Sequence, residues 1–149
     1  MGRRAEVDTR GFTLLELLVT LLVIALALGI VVPSVGRSMD SVRARADVAR
    51  FSALLRHARE QAITTRRPHA VVVDPAGQRL LLVAGDDEVR ESRPLRADLS
   101  IEPIPPTGFR VGFQPHGVSS GGRFRIVSNG VRFRVTVEPL TGRVRAERE

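Results

Sequence analysis

Along the chain the pattern of apolar and polar positions passes from apolar on every side, to one-sided, to alternating. Residues 17–36 contain no charge, 20 residues in a row. As a helix rising ~1.5 Å per residue this run spans about 30 Å, the thickness of a bilayer's hydrocarbon. It predicts one membrane span. A secretory signal peptide is the plain alternative, but its apolar region covers only about 7 to 15 residues and ends at a small-residue cleavage site. Here the run is longer and closes with Pro33 and Gly36. Beyond Pro33 the positions Val35, Met39, Val42, Ala46, Ala49 and Ala53 form one row at helical spacing, and Ala44, Val48, Phe51, Leu55, Ala58 and Ala62 form another. Together they predict a long helix over about residues 13–65, interrupted or bent where Pro33 lacks a backbone donor.

After Pro68 short apolar runs alternate with turn residues, which predicts antiparallel sheet. "HAVVVD" and "RLLLVAG" read as strands joined through Asp74, Pro75, Ala76 and Gly77. The strongest hairpin signal is Asn129-Gly130 between "FRIVS" and "VRFRVTV". It puts Phe124, Ile126, Val131, Phe133, Val135 and Val137 on one face and Arg125, Arg132 and Arg134 on the other. "LTGRVR" adds a turn and a last short strand. Residues 92–106 are rich in proline and charge without clear period, and read as a weak strand with an irregular linker. The expected fold class is α+β: a helix, apolar in its first half and amphipathic in its second, packed through its inner stripe on a small antiparallel sheet. Its second stripe then needs a partner of its own.

Length and charge narrow this picture. Outside the apolar run, residues 37–149 suffice for one small core and no more. All 23 basic residues are Arg and outnumber 16 acids, for a formal charge of +7. Such a balance can attract nucleic acid or anionic lipid, and equally fits a solvated helix and sheet face. Three basic residues (Arg3, Arg4, Arg10) precede the apolar run, and Arg37, Arg43, Arg45 and Arg50 follow it. The distribution of positive charge therefore leaves the orientation of the span open. Without cysteine there is no disulfide or thiolate chemistry.

Catalytic patterns are weak. "GVSSG" at residues 117–121 has the spacing of a nucleophile elbow, but that device needs a following helix and a later histidine. Strand-like "GRFRIV" follows, and His116 is the last histidine. Ser119 and Ser120 are thus expected in a loop. His57, His69 and His116 lack metal-ligand spacing, and the acids at 86–88 lack the order of a calcium loop. The expectation is a non-enzyme with no catalytic residue, metal or cofactor.

One charge stands out. Glu16 sits at the start of the apolar run, where a carboxylate is costly unless it has a function or a partner. A cut between Gly11 and Phe12 would expose an amine about one helical turn before it, able to neutralise it within one chain or between neighbours. Gly11, Phe12, Thr13, Leu14, Leu15 and Glu16, with a short basic leader before them and the apolar run behind, resemble the class III signal of type IV pilins and type II secretion pseudopilins. The amphipathic helix with Arg59-Glu60 near its end, the stretch Phe113-x-Pro115-x-Gly117, the glycine pair at 121–122 and Gly142-Arg143 resemble the H-type minor pseudopilins of the general secretion pathway (the GspH/FimT-like family).

That resemblance implies a type IV pilin-like fold, with a leader over residues 1–11, a transmembrane helix over 12–36, an amphipathic helix over 37–67 and a sheet domain over 68–149. It further implies cleavage after Gly11 by prepilin peptidase and N-methylation of Phe12 from S-adenosylmethionine. The protein would sit in the bacterial inner membrane by a single pass with its globular domain in the periplasm, which fixes the orientation. Phe12 and Glu16 would carry assembly with the major pseudopilin and minor tip subunits into a filament that helps export folded proteins. The rival implication is a FimT-like minor pilin that binds DNA for uptake, through Gly142-Arg143-Val144-Arg145 and the basic face carrying Arg132 and Arg134. Arg can grip phosphate without reading sequence. Against the rival, Trp and Tyr are absent and the six Phe fall mostly at inward positions. The cysteines common in that subgroup are missing as well.

Overall fold

A computed structural model describes residues 12–106 and 108–149, with the side chains of 30–38 outside the description. Among the described residues there is one helix, α1, which runs over Leu14–Thr65 without a break at Pro33. The chain divides into two compact units, Met1–Ser38 and Met39–Glu149.

In the first unit Thr13 starts the helix. Its Oγ1 accepts the Glu16 amide at 3.2 Å and its carbonyl accepts the Leu17 amide at 3.1 Å, so a threonine side chain satisfies one of the first-turn donors. Every described side chain from 12 to 29 is exposed, including Leu14 at 84% and Leu26 at 62%.

In the second unit one row of α1 is buried: Ala44, Val48, Phe51, Leu54, Leu55, Ala58 and Ala62. The other predicted row is not. Met39 and Val42 stay about half exposed or more (49% and 60%), and Ala49 and Ala53 face solvent. Sequence spacing made the two rows equal, whereas the row holding Phe51 and Leu55 removes more apolar area from water, at ~25 cal/mol per Å². Near its end α1 turns off through Arg66, at φ 52°, with Pro68 two residues on.

Eight strands follow among the described residues: β1 (His69–Asp74), β2 (Arg79–Ala84), β3 (Glu88–Pro94), β4 (Leu99–Pro103), β5 (Arg110–Phe113), β6 (Gly122–Ser128), β7 (Val131–Val137) and β8 (Val144–Arg148). They form two antiparallel four-stranded sheets, β3-β2-β1-β5 and β4-β6-β7-β8, rather than a single small one. Residues 92–106, expected to hold one weak strand and a linker, contain the end of β3 and all of β4. Five residues pairing with β6 leave too short a stretch for alternation to show. Edge strand β3 is almost wholly exposed and carries the pairs Arg90–Glu88 and Arg93–Glu91, charges that discourage edge-to-edge pairing.

The predicted hairpins are present. β1 and β2 pair from His69↔Ala84 to Asp74↔Arg79, and the turn is held by the Asp74 carboxylate, which accepts the Gly77 amide (2.9 Å) and Arg79 Nε (3.0 Å). β6 and β7 pair about Asn129 and Gly130, both at positive φ (48° and 77°), as a two-residue hairpin turn requires. Phe124, Ile126, Phe133, Val135 and Val137 point inward. Phe51 of α1 meets Phe124 edge-on, ring centroids 5.2 Å apart and planes at 77°. The hairpin tip is also tied to α1 by polar contacts. Ser128 Oγ donates to the buried Asp47 (3.0 Å) and Asn129 Nδ2 to Asp40 (3.0 Å), with Arg50 and Arg96 also beside Asp47.

Candidate assembly helix and basic sheet face

The residues that sequence reasoning singled out fall in two places, one in each unit. Gly11 lies outside the described residues. Phe12 is 78% exposed, immediately before the helix. Glu16 is exposed on the first turn, three residues after the capping Thr13. T-x-x-E is the spacing of a capping box, and a carboxylate in the first turn complements the partial positive charge of the helix start. This local role was legible in "TLLE" and was missed beside the more conspicuous carboxylate. The Glu16 side chain has neither hydrogen bond nor ion pair among the described residues. It remains available to a cation that the described residues do not supply.

An apolar helix surface exposed on all sides is stable only inside lipid or against other helices. Among the described residues no helix is long and apolar enough to cross a membrane. The uncharged run continues beyond them, through residues 30–36, whose side chains lie outside the description.

The predicted basic face is the outer side of the β4-β6-β7-β8 sheet. Arg132 and Arg134 on β7 and Arg145 on β8 are exposed there, with Arg143 exposed just before β8. Register places Arg125 directly opposite Arg134, flanked by Glu102 and Glu147 in the same row. Two of the four residues marked for nucleic-acid contact are held by acids: Arg134 by Glu149 (2.5 Å) and Arg145 by Glu138 (3.0 Å). Arg132 and Arg143 have no carboxylate partner among the described residues.

Gly142 serves a structural end. At φ +62° it is buried, and a Cβ there would lie 2.7 Å from the Gly117 carbonyl oxygen and 2.9 Å from Arg59. Arg59 Nε donates to that same carbonyl at 3.3 Å. The Phe-x-Pro-x-Gly stretch and the Gly-Arg tail thus meet on one helix residue, Arg59, which spacing along the sequence did not reveal.

The serines and histidines are committed to local structure. Ser119 is buried and donates to the Glu138 carbonyl (2.9 Å) while accepting the Gly121 amide (3.0 Å). Ser120 stands in the loop before β6. His69 is buried with Nδ1 3.0 Å from the Arg67 carbonyl, His57 is half-buried, and His116 is exposed in the turn before Gly117. Asp87 pairs with Arg110 and Glu88 with Arg90. No group of three or more His, Asp or Glu is placed to hold a metal among the described residues. A cleft of about 660 Å³ runs along β4 and is lined by Val73, Leu95, Leu99, Ile101, Ile104 and Phe109 among others.

The same organisation recurs in known proteins. Two solved crystal forms of the type IV minor pilin FimU of Pseudomonas aeruginosa superpose at TM-scores of 0.59 and 0.55, with 17% and 20% identity. They cover 75% and 69% of this chain, and 90% and 91% of theirs. The minor pseudopilin EpsH from the type 2 secretion system of Vibrio cholerae superposes at 0.52 with 19% identity, over 73% of this chain and 96% of that one. At these identities the likeness establishes the type IV pilin-like fold. No curated protein matches in sequence. The prokaryotic N-terminal methylation motif matches residues 8–32, around Gly11, Phe12 and Glu16. The family described as type II transport protein GspH matches residues 47–141, from the buried Asp47 of α1 to the turn before β8. With more than half its length matched, and the same helix-on-sheets fold behind it, the chain belongs to the GspH family of type II transport proteins.

Proposed function

We propose that this protein is a minor pseudopilin of a type II secretion system. The carrying observation is the helix start: Phe12, the Thr13 cap and a Glu16 whose side chain has no partner among the described residues, followed by exposed apolar side chains. Prepilin peptidase cuts after Gly11, and Phe12 becomes the N-methylated amino terminus. Residues 12–36 cross the inner membrane once, and the sheet domain lies in the periplasm. In the filament Glu16 meets the terminal amine of a neighbour's Phe12 among apolar helices, where an unpaired charge is costly. The other pseudopilins are its partners, and the filament drives folded proteins across the outer membrane without chemistry by this subunit.

Glu16→Ala and Gly11→Ala in the chromosome test this. Glu16→Ala is expected to leave the protein in the inner membrane while lowering its incorporation into sheared filaments at least about tenfold, the scale of an unpaired buried charge. Gly11→Ala is expected to leave a precursor larger by the leader on a gel. Full secretion and incorporation with Glu16→Ala, or mature-sized protein with Gly11→Ala, would overturn the reading.

Nucleic-acid uptake draws support from Arg132 and Arg143, which have no carboxylate partner among the described residues. The pairing of Arg134 and Arg145 with acids favours the secretion reading over it.

A further inference from the structure

The outer face of the β4-β6-β7-β8 sheet contains an arrangement that its basic composition conceals. Arg125 and Arg134 are directly opposed across β6 and β7, and like charges in that position repel. Glu149 relieves the repulsion. Its Oε1 takes Arg134 Nη2 at 2.5 Å and its Oε2 lies 3.6 Å from Arg125 Nε. The side chain is 22% exposed, and the Glu149 amide donates to the Arg132 carbonyl at 3.1 Å. One carboxylate therefore sits in a fork of two guanidiniums. Glu149 stands one residue past β8, and its backbone hydrogen bond to Arg132 lies outside the β7–β8 register.

We infer that the Arg125–Arg134 fork is a docking point for a carboxylate-bearing segment of a partner protein, and that Glu149 occupies it as an exchangeable substitute. The charges around the fork choose between an acidic protein segment and nucleic acid. Glu102 and Glu147 close the row at both ends, and Glu138 neutralises Arg145 in the neighbouring row. A phosphodiester backbone, charged at every step, would run into these acids. A protein segment with separated carboxylates can seat one between Arg125 and Arg134 and reach Arg123 or Arg132, which have no acid of their own among the described residues. The face also lacks an aromatic ring on which bases could stack, since Phe124 and Phe133 of its strands are turned into the core. This inference does not depend on the secretion role.

The test is fluorescence anisotropy on the full chain in detergent, with two labelled probes: an eight-residue peptide alternating Glu and Ser, and a twelve-base-pair DNA duplex. Glu149→Gln is expected to tighten peptide binding roughly two- to fivefold, the range of exposed ion pairs. Arg125→Gln/Arg134→Gln is expected to abolish that gain. Glu60→Gln, which changes net charge equally on the exposed side of α1, should produce none. Arg134→Gln alone, with thermal unfolding checked, serves if the double variant fails to fold. Unchanged peptide affinity in Glu149→Gln, an equal gain in Glu60→Gln, or a gain for DNA as large as for peptide would each overturn the inference.

Discussion

Residues 14–29 and residues 44–62 belong to the same assigned helix, yet they solve opposite problems. In the first stretch leucine, isoleucine and valine are exposed all round. In the second, seven apolar residues are buried along one side and arginines hold much of the other. The propensities that make both helical are alike, so the difference lies in what covers them. A one-sided stripe finds its cover within the chain, here in two sheets, while an all-round apolar surface has to find it in lipid or in other subunits. The first stretch therefore needs a cover that the described residues do not supply, and the second is the scaffold of a domain with its own core.

The sharpest way to break this contrast is to remove one large side chain from each stretch. Phe51 is 1% exposed against Phe124, and Phe51→Ala should cost the domain about 3 to 5 kcal/mol in urea unfolding. Leu22→Ala, at a side chain 56% exposed, should leave the same unfolding transition in place. A comparable loss from Leu22→Ala would show that the exposed stretch is part of the domain's core after all.

A second comparison sets two glycines of the domain against each other, both with positive φ. At Gly130 (φ +77°) a Cβ meets open space, so Gly130→Ala carries only backbone strain, about 1 kcal/mol. At Gly142 the added Cβ would also press on the Gly117 carbonyl and on Arg59. Gly142→Ala should therefore cost about 2 to 3 kcal/mol, read as a lower urea midpoint at unchanged slope. Equal losses at the two positions would mean that the Arg59 contact adds nothing.

These positions also show where the sequence was readable. Asn129-Gly130 and Asp74 through Gly77 announced their turns, because each turn is built from its own residues and needs nothing distant. The alternation of β6 and β7 announced their inward face for the same reason. β4 and β5, at five and four residues, are set by pairing with β6 and β1 and leave almost no pattern of their own. The choice between the two apolar rows of α1 depended on the sheets, as did the burial of Asp47 under Ser128 and the meeting of Gly117, Gly142 and Arg59. At the helix start the N-terminal methylation motif was plain in six residues. The Thr13 cap was equally local and was overlooked, and the fork that Arg125, Arg134 and Glu149 form required the register to be known.

The smallest effect belongs to the most local feature. The Asp74 carboxyl lies below the usual carboxylate range, first because the Gly77 amide donates to it and next because Arg79 does. Its folded pKa is thus below its unfolded value of about 3.9. A depressed carboxylate contributes stability above the unfolded pKa and loses that contribution as pH falls through the folded one. Asp74→Asn should lower the melting temperature slightly and by a constant amount above about pH 5, and the gap to the native protein should narrow below about pH 4. A gap that stayed constant, or widened, down to pH 3 would show that ionisation of the carboxyl does not hold the turn. The contrast between a self-sufficient turn and partner-dependent strands would then sharpen further, since β1 and β2 would pair without help from the ionised side chain at their junction.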